Sequence, residues 1–207
     1  MSEAWEACDV AGREMQLFVA SPEGAGPRPA VVVICHAGGV DEFVMEMTRR
    51  IAGEGYVGAA PDLFHRITDE MVEETGKSKR DQLSDPDLIA DVNATVDFLL
   101  GHSSIDSGRL GVTGFCSGGR VVWLAAATNA NFKAAVPHYG GNIMVPWGAA
   151  TQSPFDLTSA IKCPVMFHFG EVDTNLAREL DHELDFEVRT PETTVGSAVV
   201  WTKPKIS

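Results

Sequence analysis

Short apolar runs alternate with amphipathic segments along this 207-residue chain. The run 30–35 is continuously apolar and rich in β-branched residues, which is typical of a strand buried on both faces of a sheet. Similar runs predict one earlier strand and four later ones, over 15–20, 56–60, 109–113, 134–139 and 164–169. The pattern therefore predicts a multi-stranded sheet whose strands are spread over most of the chain.

Helical periodicity appears between these strands. Val44, Met47 and Ile51 recur at helical spacing, and the helix they predict ends near Gly53 and Gly55. A second helix is predicted from an apolar stripe at four positions, which are Leu88, Val92, Val96 and Leu99.

The ends of the second helix carry their own signals. Asp85 is expected to be its N-cap, with Pro86 at the first helical position and Gly101 at its end.

The segment 68–84 before this helix is charged and poor in apolar residues, which predicts a surface excursion or a lid. Strands that alternate with helices favour the α/β class, with a mostly parallel sheet covered by helices on both faces. Because repeats and low-complexity linkers are absent from the sequence, we expect a single domain over residues 1–207.

Charge and cysteine usage narrow the possible partners. The formal net charge is -13, which argues against nucleic acid or an anionic membrane, because both select basic surfaces. The longest uninterrupted apolar run, 121–127, is far too short to span a membrane, and the first residues are acidic, unlike a signal peptide. The four cysteines are scattered without metal-ligand spacing, so we expect reduced thiols, no metal site and a cytoplasmic location.

The segment 114–119, Gly-Phe-Cys-Ser-Gly-Gly, carries the clearest chemical signal. It lies between a predicted strand and the helix-like run 121–127, which is the setting of a nucleophile elbow with cysteine in place of serine. Glycines two residues on either side of Cys116 allow a sharp turn, and the N-terminus of the following helix favours the thiolate form. Cys116 is therefore the predicted nucleophile, with a buried structural thiol as the alternative.

Further candidates follow the predicted strands, whose carboxyl ends form the usual ligand site of such a sheet. The backbone amides of Ser117 and Gly38 are the predicted oxyanion donors, and Asp173 is predicted to orient a histidine base. Asp173 has the alternative role of a helix cap. His36 and Tyr139 are candidate substrate-binding residues, and His36 is also expected to bind backbone near the oxyanion donors.

These motifs together resemble the dienelactone hydrolase family, within the α/β-hydrolase fold. The matching pieces are the segments 31–36, 53–56, 61–64, 114–119, 139–141 and 169–173, in the family's order. The resemblance implies hydrolysis of a small ester or lactone, without metal or organic cofactor. It implies that Cys116 is the nucleophile, Asp173 the triad aspartate and Arg66 a group that binds substrate carboxylate, with a plain surface charge as the alternative for Arg66.

The sequence departs from the family pattern at two places. Ala37 stands where family members that act on dienelactone carry a glutamate, which favours a different substrate. After Asp173 the only histidine is His182, within a predicted helix over 176–184, and the segment 190–207 is an atypical tail. We therefore expect an incomplete C-terminal part, part of the sheet left uncovered, and an enzyme impaired by the loss of its triad histidine.

The identity of the base stays open at this point. His182, His36 and His138 are candidates for a replacement, although His138 is more readily explained by packing beside Tyr139 and His182 by solvation on its helix. A frame-shifted end would explain the tail, and the oligomeric state cannot be derived from the sequence. The alternative function is a catalytically impaired homologue that serves as a binding or scaffolding domain.

Overall fold

One sheet organises the structure. The computed structural model describes residues 1–24, 26–170, 173, 187–189 and 197–202. Within these residues the sheet has nine strands in the order β1-β2-β4-β3-β5-β6-β7-β9-β8. The strands are β1 (Ser2–Val10), β2 (Arg13–Ser21), β3 (Arg28–Ile34), β4 (Val57–Pro61), β5 (Ile105–Phe115), β6 (Phe132–His138), β7 (Val165–Gly170), β8 (Glu187–Arg189) and β9 (Ser197–Thr202).

Parallel pairing is confined to the centre of this sheet. Strands β4, β3, β5, β6 and β7 pair in parallel, whereas β1 and β2 on one side and β9 and β8 on the other pair antiparallel. Parallel strands need crossover connections, and helices supply them here. The helices are α1 (Glu42–Gly53), α2 (Asp69–Thr75), α3 (Asp85–Leu100) and α4 (Ser117–Thr128), with 3₁₀ turns at Arg80–Gln82 and Thr158–Ala160. The predicted α/β class is confirmed, with antiparallel flanks as the addition.

The helices cover the two faces of the sheet differently. The stripe Leu88, Val92, Val96 and Leu99 of α3 is fully buried, as predicted, and α3 packs with α4 on one face. On the other face α1 packs over β4, β3 and β2, with Val44, Thr48 and Ala52 buried.

An open groove of about 740 Å³ lies beside α1. Met47 and Ile51, which were predicted to belong to the apolar stripe of this helix, are half-buried and line the groove. Its floor is formed by the alternate strand residues Val31, Thr113, Phe115, Val136 and His138.

Several boundaries differ from the sequence predictions. The prediction that Asp85 caps α3 is wrong, because Ser84 is the N-cap and the Asp85 carboxylate binds a buried arginine. The edge strand β1 was not predicted, and within the segment 190–207 the described residues form β9. The segment 68–84 lies on the surface as predicted, and its helix α2 buries none of its residues. The predicted helix 176–184, with His182, lies outside the described residues.

None of the helices in the described part of the chain combines the length and the apolar character that crossing a membrane requires.

Candidate functional site

Cys116 occupies the turn between β5 and α4. Its backbone has φ 55° and ψ -122°, a conformation that side chains other than glycine rarely adopt, and its side chain is exposed. The buried-thiol alternative is therefore wrong. The Cys116 N–H donates to the carbonyl of His138 at 3.0 Å, and its own carbonyl accepts from Gly119 at 2.9 Å. Hydrogen bonds on both sides of the residue fix this strained backbone and present the thiol to solvent.

The flanking glycines are required by close packing. A Cβ on Gly118 would lie 2.5 Å from the carbonyl oxygen of Cys35 and 2.7 Å from that of Ile34. A Cβ on Gly114 would lie 2.8 Å from the carbonyl oxygen of Gly118. Real Cβ atoms do not approach backbone this closely, so larger residues would push the first turn of α4 away from the end of β3. The glycine pattern of the sequence thus has a direct structural cause.

Ser117 begins α4 and is buried. Its amide belongs to the first turn, where N–H groups have no acceptor within the helix, and it directly follows Cys116. Helix N-termini also carry partial positive charge. This placement suits the Ser117 amide to the donor role predicted for it, although the role itself stays a prediction.

The Gly38 amide, the second predicted donor, has a partner of its own. It donates to Nδ1 of His36 at 2.9 Å, and Nε2 of the same ring lies 3.1 Å from Oδ2 of Asp41. The expectation that His36 binds backbone near the oxyanion donors is confirmed. The predicted oxyanion role of Gly38 therefore competes with an existing hydrogen bond.

Tyr139 lies at the mouth of the site. Its φ is 40°, its side chain is 44% exposed, and its N–H donates to the carbonyl of His168 at 2.6 Å. Partial burial raises the pKa of the Tyr139 hydroxyl, and the negative charge of a nearby Cys116 thiolate raises it further. The structure thus brings Tyr139 and Cys116 together, as the sequence analysis requires of a substrate-binding residue.

His138 and His168 form a stacked pair on neighbouring strands. Their ring centroids are 4.8 Å apart, and the His138 ring also stacks on Phe115 at 4.8 Å. Burial, with a smaller contribution from His168, lowers the pKa of His138 to about 4, and burial also lowers the pKa of His168. Both rings are thus neutral at pH 7. His138 packs within the fold, as expected, but its ring partners are Phe115 and His168 and not Tyr139.

Asp173 follows β7, three residues after its last one, and is partly exposed. Its N–H donates to the carbonyl of Gly170, the last residue of β7, at 2.9 Å. The carboxyl end of the parallel strands is the edge on which Cys116 also lies. The role of Asp173 as orienter of a base stays a prediction, because the candidate His182 lies outside the described residues.

Arg66 belongs to a cluster beside β4. Its Nη1 donates to Oδ1 of Asp91, and Nε2 of His65 lies 3.1 Å from the same oxygen. Asp91 is fully buried. Burial raises the pKa of its carboxyl group, against the lowering effect of Arg66 and His65. Arg66 thus neutralises a buried carboxylate, and its predicted contact with substrate stays a prediction.

Sequence reasoning missed the part played by Arg120, which is fully buried in α4. Its guanidinium donates to both carboxylate oxygens of Asp85, at 2.6 and 3.0 Å, and to the carbonyls of Asn142 and Val145 at 2.9 and 2.5 Å. The ring centroid of Trp147 lies 3.8 Å from the guanidinium carbon, so this tryptophan anchors the loop, and it also lines a small pocket beside Arg80 and Leu83. The signal in the sequence was an arginine inside an otherwise apolar helix.

Among the described residues, no group of three or more histidine, cysteine, aspartate or glutamate side chains is arranged to hold a metal ion. The site therefore consists of an exposed thiol, helix and loop amides, and the aromatic ring of Tyr139.

Comparison with known proteins identifies a family whose sequences resemble this chain. The model of the dienelactone hydrolase family matches residues 15–196. A Methylorubrum extorquens protein named "Putative carboxymethylenebutenolidase" is 33% identical over 163 residues, 77% of this chain and 56% of the relative. A Yersinia pestis protein of the same name is 32% identical over 173 residues, 81% of this chain and 64% of the relative. This chain thus spans about three fifths of the length of these relatives.

Solved structures agree with these matches. The crystal structure of a "Putative Dienelactone Hydrolase" from Klebsiella pneumoniae subsp. pneumoniae superposes with a TM-score of 0.65 at 31% identity, covering 81% of this chain and 72% of that one. A structure named m3DLH superposes with a TM-score of 0.70 at 24% identity, covering 86% of this chain and 72% of that one, and supports the fold. The elbow, the sheet and the family match over 15–196 lead to one assignment. This chain belongs to the dienelactone hydrolase family.

Proposed function

We propose that this chain hydrolyses carboxylic ester or lactone bonds with Cys116 as the nucleophile. The observation that carries the proposal is the exposed thiol on a backbone with φ 55°, at the N-terminus of a helix. The other thiols differ, since Cys35 and Cys163 are buried, and burial raises the pKa of Cys35 to about 12. A thiol held in a strained turn and open to solvent is suited to attack, and a packing role does not require that conformation.

The chemistry follows from the parts of the site. The Cys116 sulfur attacks the carbonyl carbon, an S–C bond forms, and the carbonyl electron pair moves to oxygen. The Ser117 amide stabilises that oxyanion, and the Gly38 amide can join it only by giving up its hydrogen bond to His36. As the carbonyl re-forms, the C–O bond breaks and the alcohol oxygen leaves with its electron pair, taking up a proton. Water then attacks the thioester, releases the acid and returns the thiol.

The general base of this cycle has no assigned residue. His182 is the only histidine after Asp173 in the sequence, and general acid–base catalysis ordinarily contributes on the order of 10²–10⁴-fold. A thiol suffers less from the loss of a base in acylation than in deacylation, since some thiolate exists near neutral pH without help. We therefore propose slow acylation and still slower deacylation.

The substrate is proposed to be a small uncharged or anionic ester or lactone. Tyr139 supplies an exposed aromatic face beside Cys116, and Ala37 in the donor loop leaves no carboxylate there. The four cysteines are all free thiols, which supports a reducing compartment, and we propose the cytoplasm.

The test is p-nitrophenyl acetate hydrolysis at protein concentrations high enough to resolve one turnover. Wild type should release p-nitrophenolate slowly up to one equivalent and more slowly beyond it, and Cys116→Ala should release none above the uncatalysed rate. Cys8→Ala is the matched control, because Cys8 lies on the edge strand β1 and should leave this release unchanged. Release that is equal in wild type and Cys116→Ala would refute the proposal and leave a binding or scaffolding role.

A further inference from the structure

The loop after β3 holds one of the two proposed oxyanion donors in a hydrogen bond of its own. Gly38 N–H donates to Nδ1 of His36, and Gly38 packs so tightly on the ring that a Cβ would lie 2.5 Å from its Cε1 atom. Nε2 of His36 lies 3.1 Å from Oδ2 of Asp41. Asp41 is in turn fixed as the N-cap of α1, where its Oδ1 accepts from Val44 N–H at 3.1 Å.

These contacts define the protonation of the ring. Nδ1 can accept from Gly38 only if it carries no proton, so the proton of the neutral ring is on Nε2 and is donated to Asp41. Asp41 therefore holds the ring in the orientation and tautomer that present the Nδ1 lone pair to the Gly38 N–H. Asp41 is the ionisable side chain bonded to this ring among the described residues, and the remaining face meets the ring of Phe43 at 5.8 Å.

We propose that His36 is a positioning residue that determines whether the Gly38 amide is available to the oxyanion, and this rests on the function proposed above. While Nδ1 of His36 accepts the Gly38 N–H, the oxyanion receives one amide, that of Ser117. Without an acceptor at this position, the Gly38 N–H is released and the oxyanion receives two.

The effect must be separated from any change in the reactivity of the Cys116 thiol itself. Iodoacetamide and p-nitrophenyl acetate both react with the Cys116 thiolate, but alkylation by iodoacetamide forms no oxyanion. The ratio of the acylation rate constant to the alkylation rate constant therefore cancels the thiolate fraction. The ratio reports how strongly the backbone amides stabilise the oxyanion.

Two substitutions separate the acceptor from the rest of the ring. His36→Asn keeps a side-chain acceptor for the Gly38 N–H, whereas His36→Ala offers none. At a single pH, wild type and His36→Asn should both show a low ratio of acylation to alkylation. His36→Ala should show a ratio roughly tenfold higher or more, since one oxyanion donor is typically worth about 10²–10³ in rate. His102→Asn, an exposed histidine outside the site, is the matched control and should behave like wild type.

The outcomes are distinct. Equal ratios in His36→Asn and His36→Ala, while release still requires Cys116, would overturn this inference and leave the proposed hydrolase in place. Release that does not require Cys116 would overturn both. Unchanged alkylation of Cys116 in each variant verifies that the site is folded.

Discussion

The buried pair Asp85–Arg120 offers a demanding test of how the site is held together. Asp85 and Arg120 are 2% and 0% exposed, and their bidentate contact joins the start of α3 to the first turn of α4. Oδ2 of Asp85 also accepts from the Trp147 N–H at 2.9 Å. The pair therefore fixes the loop that begins at Tyr139, and replacing either member removes one charge and leaves the other buried.

The magnitude follows from these contacts. Removing one partner of a buried ion pair costs roughly 3–5 kcal/mol, so Asp85→Leu and Arg120→Met should each lower the free energy of unfolding by that amount. The double variant leaves no unpaired charge. Its remaining cost comes chiefly from the Trp147 N–H, which has lost its acceptor, and amounts to about 1–3 kcal/mol. The carbonyls of Asn142 and Val145 also lose the Arg120 donor, but both residues are exposed, so water can replace it. The double variant should thus be no less stable than either single one.

Urea unfolding followed by far-ultraviolet circular dichroism measures these free energies. The exposed pair Asp106–Arg109 is the matched control, and Asp106→Asn should leave the midpoint nearly unchanged because solvent screens surface pairs. Independent sites add within about 0.5 kcal/mol. A double variant whose loss equals the sum of the two single losses would refute the reasoning, because it would mean that the two charges do not compensate each other.

Three further predictions concern the site and its surroundings. Iodoacetamide should modify Cys116 in the native protein within minutes and leave buried Cys35 unmodified until urea is added, as read by peptide mass spectrometry. Gly118→Ala should lower the free energy of unfolding by roughly 1–3 kcal/mol and slow acylation, because its Cβ would lie 2.5 Å from the Cys35 carbonyl oxygen; an unchanged midpoint would contradict this. Because the pKa of His138 falls from 6.5 to about 4 in the folded chain, the unfolded chain binds more protons in that range. The urea midpoint of unfolding should therefore drop as the pH is lowered from 6.5 to 4. The drop should be smaller in His138→Gln than in wild type, and the exposed control His102→Gln should show the same drop as wild type.

The elements that the sequence predicted are those with local causes. The stripe of α3 and the buried run of β3 carry their own periodicity, and the elbow at Cys116 is determined by glycines within two residues. The edge strand β1 shows no comparable pattern, since most of its residues are exposed. It exists because it pairs with β2 along its whole length through a two-residue turn at Ala11 and Gly12, so its signal lies in the pairing and the turn and not in its own hydrophobic pattern.

The charged contacts of the site were beyond sequence reasoning for a related reason. Asp85 has the position and residue type of a helix cap, and nothing local distinguishes a cap from the partner of an arginine 35 residues away. Arg66 likewise matches a substrate-binding position, yet it lies beside a buried carboxylate 25 residues away. Residue type predicts that a charge will find a partner, and the fold determines which one.

The end of β3 connects the two halves of the oxyanion site. The Cys35 carbonyl packs against Gly118 in the first turn of α4, which carries the Ser117 amide, and the next residue, His36, holds the Gly38 amide. A displacement of this strand end would therefore move both donors at once, whereas the Cys116 backbone is fixed separately by the carbonyl of β6. Thiol reactivity and oxyanion stabilisation thus depend on different strands. This separation is the structural reason why alkylation and acylation can be expected to respond independently to substitutions in the same site.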